Sequence, residues 1–123
     1  MAERLAGILL WLDDLRDPAR LPWSSIVESL SMYDVAPVGL HWARSYDEFC
    51  DALDRYGPQI CAVSFDNDLG EGREGRHALT ELERRIRLHD WPRMTLHAHT
   101  ANPAARAEMV RGFEVIRAYW AER

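Results

Sequence analysis

The sequence predicts an α/β fold, a three-layer α/β/α sandwich around a mostly parallel sheet. Short apolar runs alternate along the chain with amphipathic helical stretches, the pattern of βα units. Three of the runs, ending at Leu12, Phe65 and Ala98, break off into polar residues able to do chemistry. The length of 123 residues, 47% hydrophobic and 28% charged, fits one domain over residues 1–123 with a real core.

Taken in order, residues 5–12 are nearly all apolar and stop at Asp13, as a strand buried on both faces would. Asp14 to Trp23 is a loop broken by Pro18 and Pro22. Ser24 opens a short helix to about Met32, with Ile26, Val27 and Leu30 on its apolar face. Asp34 to Pro37 is a connection, and Val38–Ala43 is a second, weaker strand. Ser45 and Glu48 form a capping box for a helix to about Tyr56, striped by Phe49, Ala52, Leu53 and Tyr56 and stopped at Gly57-Pro58. Ile60–Phe65 is the strongest strand. A glycine-rich loop, Gly70 to Gly75, leads into a helix to about Leu88 with Leu79, Leu82 and Ile86 inward. Arg93–Ala98 is the last strand. Asn102-Pro103 starts the closing helix, cap followed by proline in the first helical position, with Met109, Phe113, Ile116 and Trp120 facing the core.

Composition narrows the function. The net charge is −5, which excludes a broad nucleic-acid-binding surface. No apolar run approaches the roughly 20 residues of a membrane span. The Met1–Arg4 start lacks the basic and small-residue pattern of a secretory signal, so the cytoplasm is the expected location. Cys50 and Cys61 make no C-x-x-C and read as small hydrophobes. All 15 basic residues other than histidine are arginine, so no mechanism that needs a lysine can operate. No G-x-S-x-G is present. The G-x-G-x-x-G at Gly70, Gly72 and Gly75 carries Glu71 and Glu74, which would repel a pyrophosphate.

The polar strand ends are the candidate site. Asp13 and Asp14 end the first strand; Asp66 and Asp68 end the third. In a parallel sheet these ends share one edge. Carboxylates crowded there repel one another unless a cation intervenes, so a divalent metal is expected, Mg²⁺ or Mn²⁺ by the hardness of oxygen ligands. The plainer alternative is that these aspartates are turn residues and caps. His97 and His99, two apart on a strand, share a face and supply general acid or base groups near neutral pH. Alternatively they ligate Zn²⁺ with Asp66 or Asp68. Asn102 and Arg106 lie at a helix N-terminus, which suits phosphate, although Asn102 could serve only as a cap. Arg16 is a weaker phosphate candidate. His41, His77 and His89 read as surface or packing residues.

At these residues the chain resembles the receiver fold of two-component signalling. An acidic pair, Asp13 and Asp14, ends the first strand, and Asp66 stands at the phosphoacceptor position, with the Asp68 backbone carbonyl completing the metal site. The chain departs in having no lysine on a fifth strand and in having His99 where a hydroxyl is usual. Those departures resemble a divergent family, the cyclic-phosphate processing receiver-like domains. Its pattern is met by Leu12-Asp13-Asp14-Leu15-Arg16-Asp17-Pro18, by Phe65-Asp66-Asn67-Asp68-Leu69-Gly70, and by His99-Thr100-Ala101-Asn102-Pro103 with Arg106 and Met109. Asn67 stands where that family usually carries histidine. The resemblance implies a receiver/flavodoxin-like sheet of order 2-1-3-4. It also implies metal-dependent phosphoesterase-type hydrolysis of a cyclic phosphate, a 2′,3′-cyclic nucleotide or RNA end. In that reading Asp13, Asp14, Asp66 and Asp68 hold the metal. Asp66, His99 and His97 are catalytic, and Asn102, Arg106 and Arg16 hold phosphate. The alternative is a non-catalytic module binding a metal, nucleotide or protein partner in the same pocket.

Overall fold

The computed structural model describes residues 5–18, 35–70 and 72–123. Its strands are β1 (Leu5–Leu12), β2 (Val35–Ala43), β3 (Ile60–Phe65) and β4 (Thr95–Ala98), and its helices are α1 (Tyr46–Tyr56), α2 (Gly75–His89) and α3 (Pro103–Ala121). All the pairings are parallel and the order is β2-β1-β3-β4, a receiver/flavodoxin-like sheet. The helix expected over residues 24–32 lies outside the described residues. No helix among the described residues is long and apolar enough to cross a membrane.

β1 and β3 are the central strands, which is why they read as unbroken apolar runs rather than alternating ones. On one face Leu10, Leu12, Val63, Phe65 and Leu96 meet Phe49 and Leu53 of α1, Leu79, Leu82 and Ile86 of α2, and Met109, Phe113 and Ile116 of α3. On the other face Leu9, Trp11, Cys61 and Ala62 form a smaller cluster with Leu40 and Trp42. Of the expected α3 stripe, Trp120 is only half-buried, its indole N–H donating to the Trp91 carbonyl at 3.1 Å. Its neighbour Tyr119 is buried instead and bonds Asp90.

Three boundaries differ from expectation. β2 begins at Val35, inside the stretch expected as a connection. Pro37 is tolerated there because β2 is an edge strand and pairs Gly7 beside a register shift. β4 is shorter than expected and starts at Thr95, since Pro92 and Arg93 stay exposed before it reaches β3. The α1 cap is half as expected. Ser45 Oγ accepts the Glu48 N–H at 3.1 Å, whereas Glu48 Oε1 accepts from the N–H of Arg44 rather than of Ser45.

α2 is capped by Glu74 together with His77, whose Nδ1 accepts the Glu74 N–H at 2.8 Å. Its first residue, Gly75, donates its N–H to the Asn67 carbonyl at 2.8 Å and locks the loop after β3. A Cβ at Gly75 would lie 2.0 Å from the Asp66 carbonyl oxygen and 2.9 Å from the Asn67 Cα, both backbone atoms that cannot swing aside. Gly75→Ala is therefore expected to cost about 3 kcal/mol in urea unfolding, and to shift the Asp66 and Asn67 amide resonances while leaving those of β2 in place.

Candidate functional site

The register of the sheet builds the site. Leu12, Phe65 and Ala98 lie in one row across β1, β3 and β4. The ladder continues one residue further: Asp66 N–H donates to the Leu12 carbonyl and His99 N–H to the Phe65 carbonyl, each at 2.9 Å. Asp13, Asp66 and His99 are thus set side by side at the carboxyl edge. Two residues back, on the same face by the period of a strand, Trp11, Ser64 and His97 form the row beneath them.

Oxygens of Asp13, Asp14 and Asp66 lie within 4.8 Å of one another. These three residues and Asp68, with Leu15, Arg16 and Gly70, line a cavity of about 560 Å³. Asp13 is only 2% exposed. Its Oδ1 accepts the N–H groups of Leu15 and Arg16 at 3.0 and 2.8 Å, which folds the turn after β1. Two indoles clamp that turn: Trp42 N–H donates to the Asp13 carbonyl at 2.7 Å and Trp11 N–H to the Arg16 carbonyl at 3.1 Å. Burial raises the pKa of Asp66, and the neighbouring charge of Asp13 raises it further. Asp68 stands apart from the triad. Its Oδ1 accepts the Gly70 N–H at 3.1 Å.

A hard divalent cation fits this donor set. Three carboxylates converge, and among the described residues the exposed Arg16 is the arginine beside them, its Nε 4.0 Å from Asp13. The grouped ligand atoms are carboxylate oxygens. His99 Nε2 is 3.0 Å from Asp13 Oδ2 and its Nδ1 is 2.8 Å from Ser64 Oγ, so both ring nitrogens are engaged. Its ring stacks on Trp11 at 3.9 Å and 7°. Burial pushes its pKa down to about 4 in spite of Asp13. His97 Nδ1 lies 3.0 Å from the same Ser64 hydroxyl, and burial followed by the Arg106 charge lowers its pKa as well.

The phosphate candidates divide. Asn102 Oδ1 is used as a cap, accepting the Ala104 and Ala105 N–H groups at 3.0 and 3.2 Å. Arg106 is anchored by Nη2 on the Ala98 carbonyl at 3.0 Å, between the two histidines in sequence. Asn67 donates to Glu74 Oε2 at 3.4 Å, which ties it to the α2 cap. His41 contacts Tyr56 and His89 stacks on Trp91, both away from this edge. Ser64 and Trp11 are the site residues that motif reading misses. The signal for Ser64 was a lone hydroxyl inside an apolar strand, in phase with Asp66.

Two outcomes follow from these charges. A depressed histidine pKa means that the unfolded chain takes up protons first. The stability due to neutral His99 is fully present above 6.5 and drains away as pH falls toward about 4. Between pH 7.5 and 5 the wild type should lose about 2 kcal/mol more in urea unfolding than His99→Asn. Asp66 has the opposite sign: its raised pKa makes its charge a cost that grows as pH rises above 3.8. Without metal at pH 7, Asp66→Asn should unfold at a higher urea concentration than the wild type, and Mn²⁺ should reverse that order.

The sequence model for the family described as the cyclic-phosphate processing Receiver domain matches residues 8–115. That span holds Asp13, Asp14, Ser64, Asp66, His97, His99 and Arg106. Searches of curated proteins and of solved structures give no match. With a family match over most of its length, and with the receiver-like sheet and its acidic edge, this chain belongs to the cyclic-phosphate processing receiver domain family.

Proposed function

We propose that the chain is a metal-dependent phosphoric-ester hydrolase that opens a cyclic phosphate, of the 2′,3′-cyclic nucleotide or RNA-end class. The observation that carries this reading is the convergence of Asp13, Asp14 and Asp66 within 4.8 Å, beside two imidazoles bridged by the Ser64 hydroxyl. Three carboxylates are more anion than a structural turn needs, and their mutual repulsion favours a cation.

In this reading Asp13, Asp14 and Asp66 hold Mg²⁺ or Mn²⁺, with the Asp68 backbone in support. When bound, the cation supplies Lewis-acid polarisation of a phosphoryl oxygen and lowers the pKa of a bound water. His99 and His97 supply the acid–base group. The Arg106 guanidinium, braced on the Ala98 carbonyl, faces the phosphate, with the N-terminus of α3 behind Asn102 as a second source of positive potential. Arg16 on the rim adds an exposed cation, and the exposed Leu15 offers an apolar wall for the nucleoside. With no lysine in the chain, a phosphorelay receiver is disfavoured.

Turnover of 2′,3′-cyclic nucleotides decides the matter. The expected result is Mn²⁺-dependent hydrolysis by the wild type, lowered at least 100-fold in Asp66→Ala and His99→Ala. Tight metal or nucleotide binding without turnover would make the chain a binding module instead, and acetyl-phosphate labelling of Asp66 would make it a phosphorelay receiver.

A further inference from the structure

Three hydrogen bonds join four side chains in one line, Asp13–His99–Ser64–His97, with spacings of 3.0, 2.8 and 3.0 Å. The middle member is a hydroxyl, which has a single proton. Ser64 can therefore donate to only one imidazole, and a ring it does not donate to must itself donate, so the two rings cannot choose their tautomers independently.

The direction is set at the Asp13 end. A carboxylate accepts, and Asp13 Oδ1 already takes two backbone N–H groups. His99 then donates from Nε2, which leaves a lone pair on its Nδ1. Ser64 donates its proton into that lone pair. The Ser64 oxygen, its proton spent, accepts from His97 Nδ1–H. His97 is left with a bare Nε2, to which no group among the described residues hydrogen-bonds. Any arrangement in which Ser64 accepts from His99 would need either a charged imidazolium at His99, whose side chain is 9% exposed and stacked on Trp11, or a proton on Asp13, whose other oxygen already accepts two backbone N–H groups.

We infer that Ser64 is a positioning residue that fixes both tautomers, holding His99 as an Nε2–H donor to Asp13 and His97 as an Nδ1–H ring whose Nε2 lone pair is the uncommitted acceptor of the pair. In the hydrolase reading, on which this division of labour rests, His99 orients the metal-binding Asp13 and the proton-accepting nitrogen belongs to His97. Arg106, anchored on the intervening Ala98 carbonyl, places positive charge near the His97 ring. A phosphate drawn there would bring its attacking or departing oxygen toward an acceptor instead of a competing N–H donor. Ser64 itself is buried, 2% exposed.

Long-range proton–nitrogen correlation spectra of the ¹⁵N-histidine-labelled protein at pH 7.5 test this without any substrate. The wild type should show His99 protonated on Nε2 and His97 protonated on Nδ1. Ser64→Ala should abolish the Nδ1–H form of His97 as the dominant species and let its ring pass to Nε2–H; Ser64→Thr, which restores the hydroxyl, should retain the wild-type pattern. His97 found as Nε2–H in the wild type, or unchanged in Ser64→Ala, overturns the inference. Should Ser64→Ala not fold, the wild-type spectrum decides alone. Absence of cyclic-nucleotide turnover alongside the expected tautomers would reject the hydrolase reading and leave the tautomer lock standing.

Discussion

Leu12, Phe65 and Ala98 share a row across three parallel strands, and the hydrogen-bond ladder runs one residue beyond them. That alignment forces Asp13, Asp66 and His99 together at one edge. A slip of one residue in any strand would turn its polar residue to the other face, toward the core that the helices cover. The register is held by the apolar rows beneath, Leu10 with Val63 and Leu96, which cannot move without leaving the core. Hydrophobic packing thus places the charges.

Placing them there is electrostatically unfavourable. Asp66 is partly desolvated beside Asp13, and its raised pKa records the cost. Asp13 tolerates burial because each of its oxygens is engaged, by two backbone N–H groups on one side and His99 on the other. The indoles of Trp11 and Trp42 fix the turn that supplies those N–H groups. A site assembled against its own repulsion is poised for a cation, and the same desolvation strengthens any charge interaction made within it.

Much of this was legible in the sequence because strands buried on both faces are continuous apolar runs. Where β1 and β3 stop, the first polar residues must lie at the sheet edge, and Asp13, Asp14 and Asp66 follow directly. β2 was harder to bound, since an edge strand accommodates Pro37 and looks like a connection. The helix N-terminal motifs told their residues apart less well. Asn102 matched both cap and phosphate ligand, and in the structure its oxygen caps. Glu48 reached Arg44 instead of Ser45, a choice that depends on backbone direction and not on residue type. Ser64 escaped notice because a hydroxyl in a strand is commonplace. Its role appears only when β4 brings His97 level with it.

The central claim is that the acidic edge is a divalent-cation site that presents phosphate to the imidazole pair. Anomalous diffraction from crystals soaked with Mn²⁺ and phosphate addresses it most directly. The account predicts one Mn²⁺ peak among the carboxylates of Asp13, Asp14 and Asp66, with phosphate bound to it on the side of Arg106 and the histidines. Ordered, unliganded carboxylates at that edge, with Mn²⁺ elsewhere or absent, would contradict it.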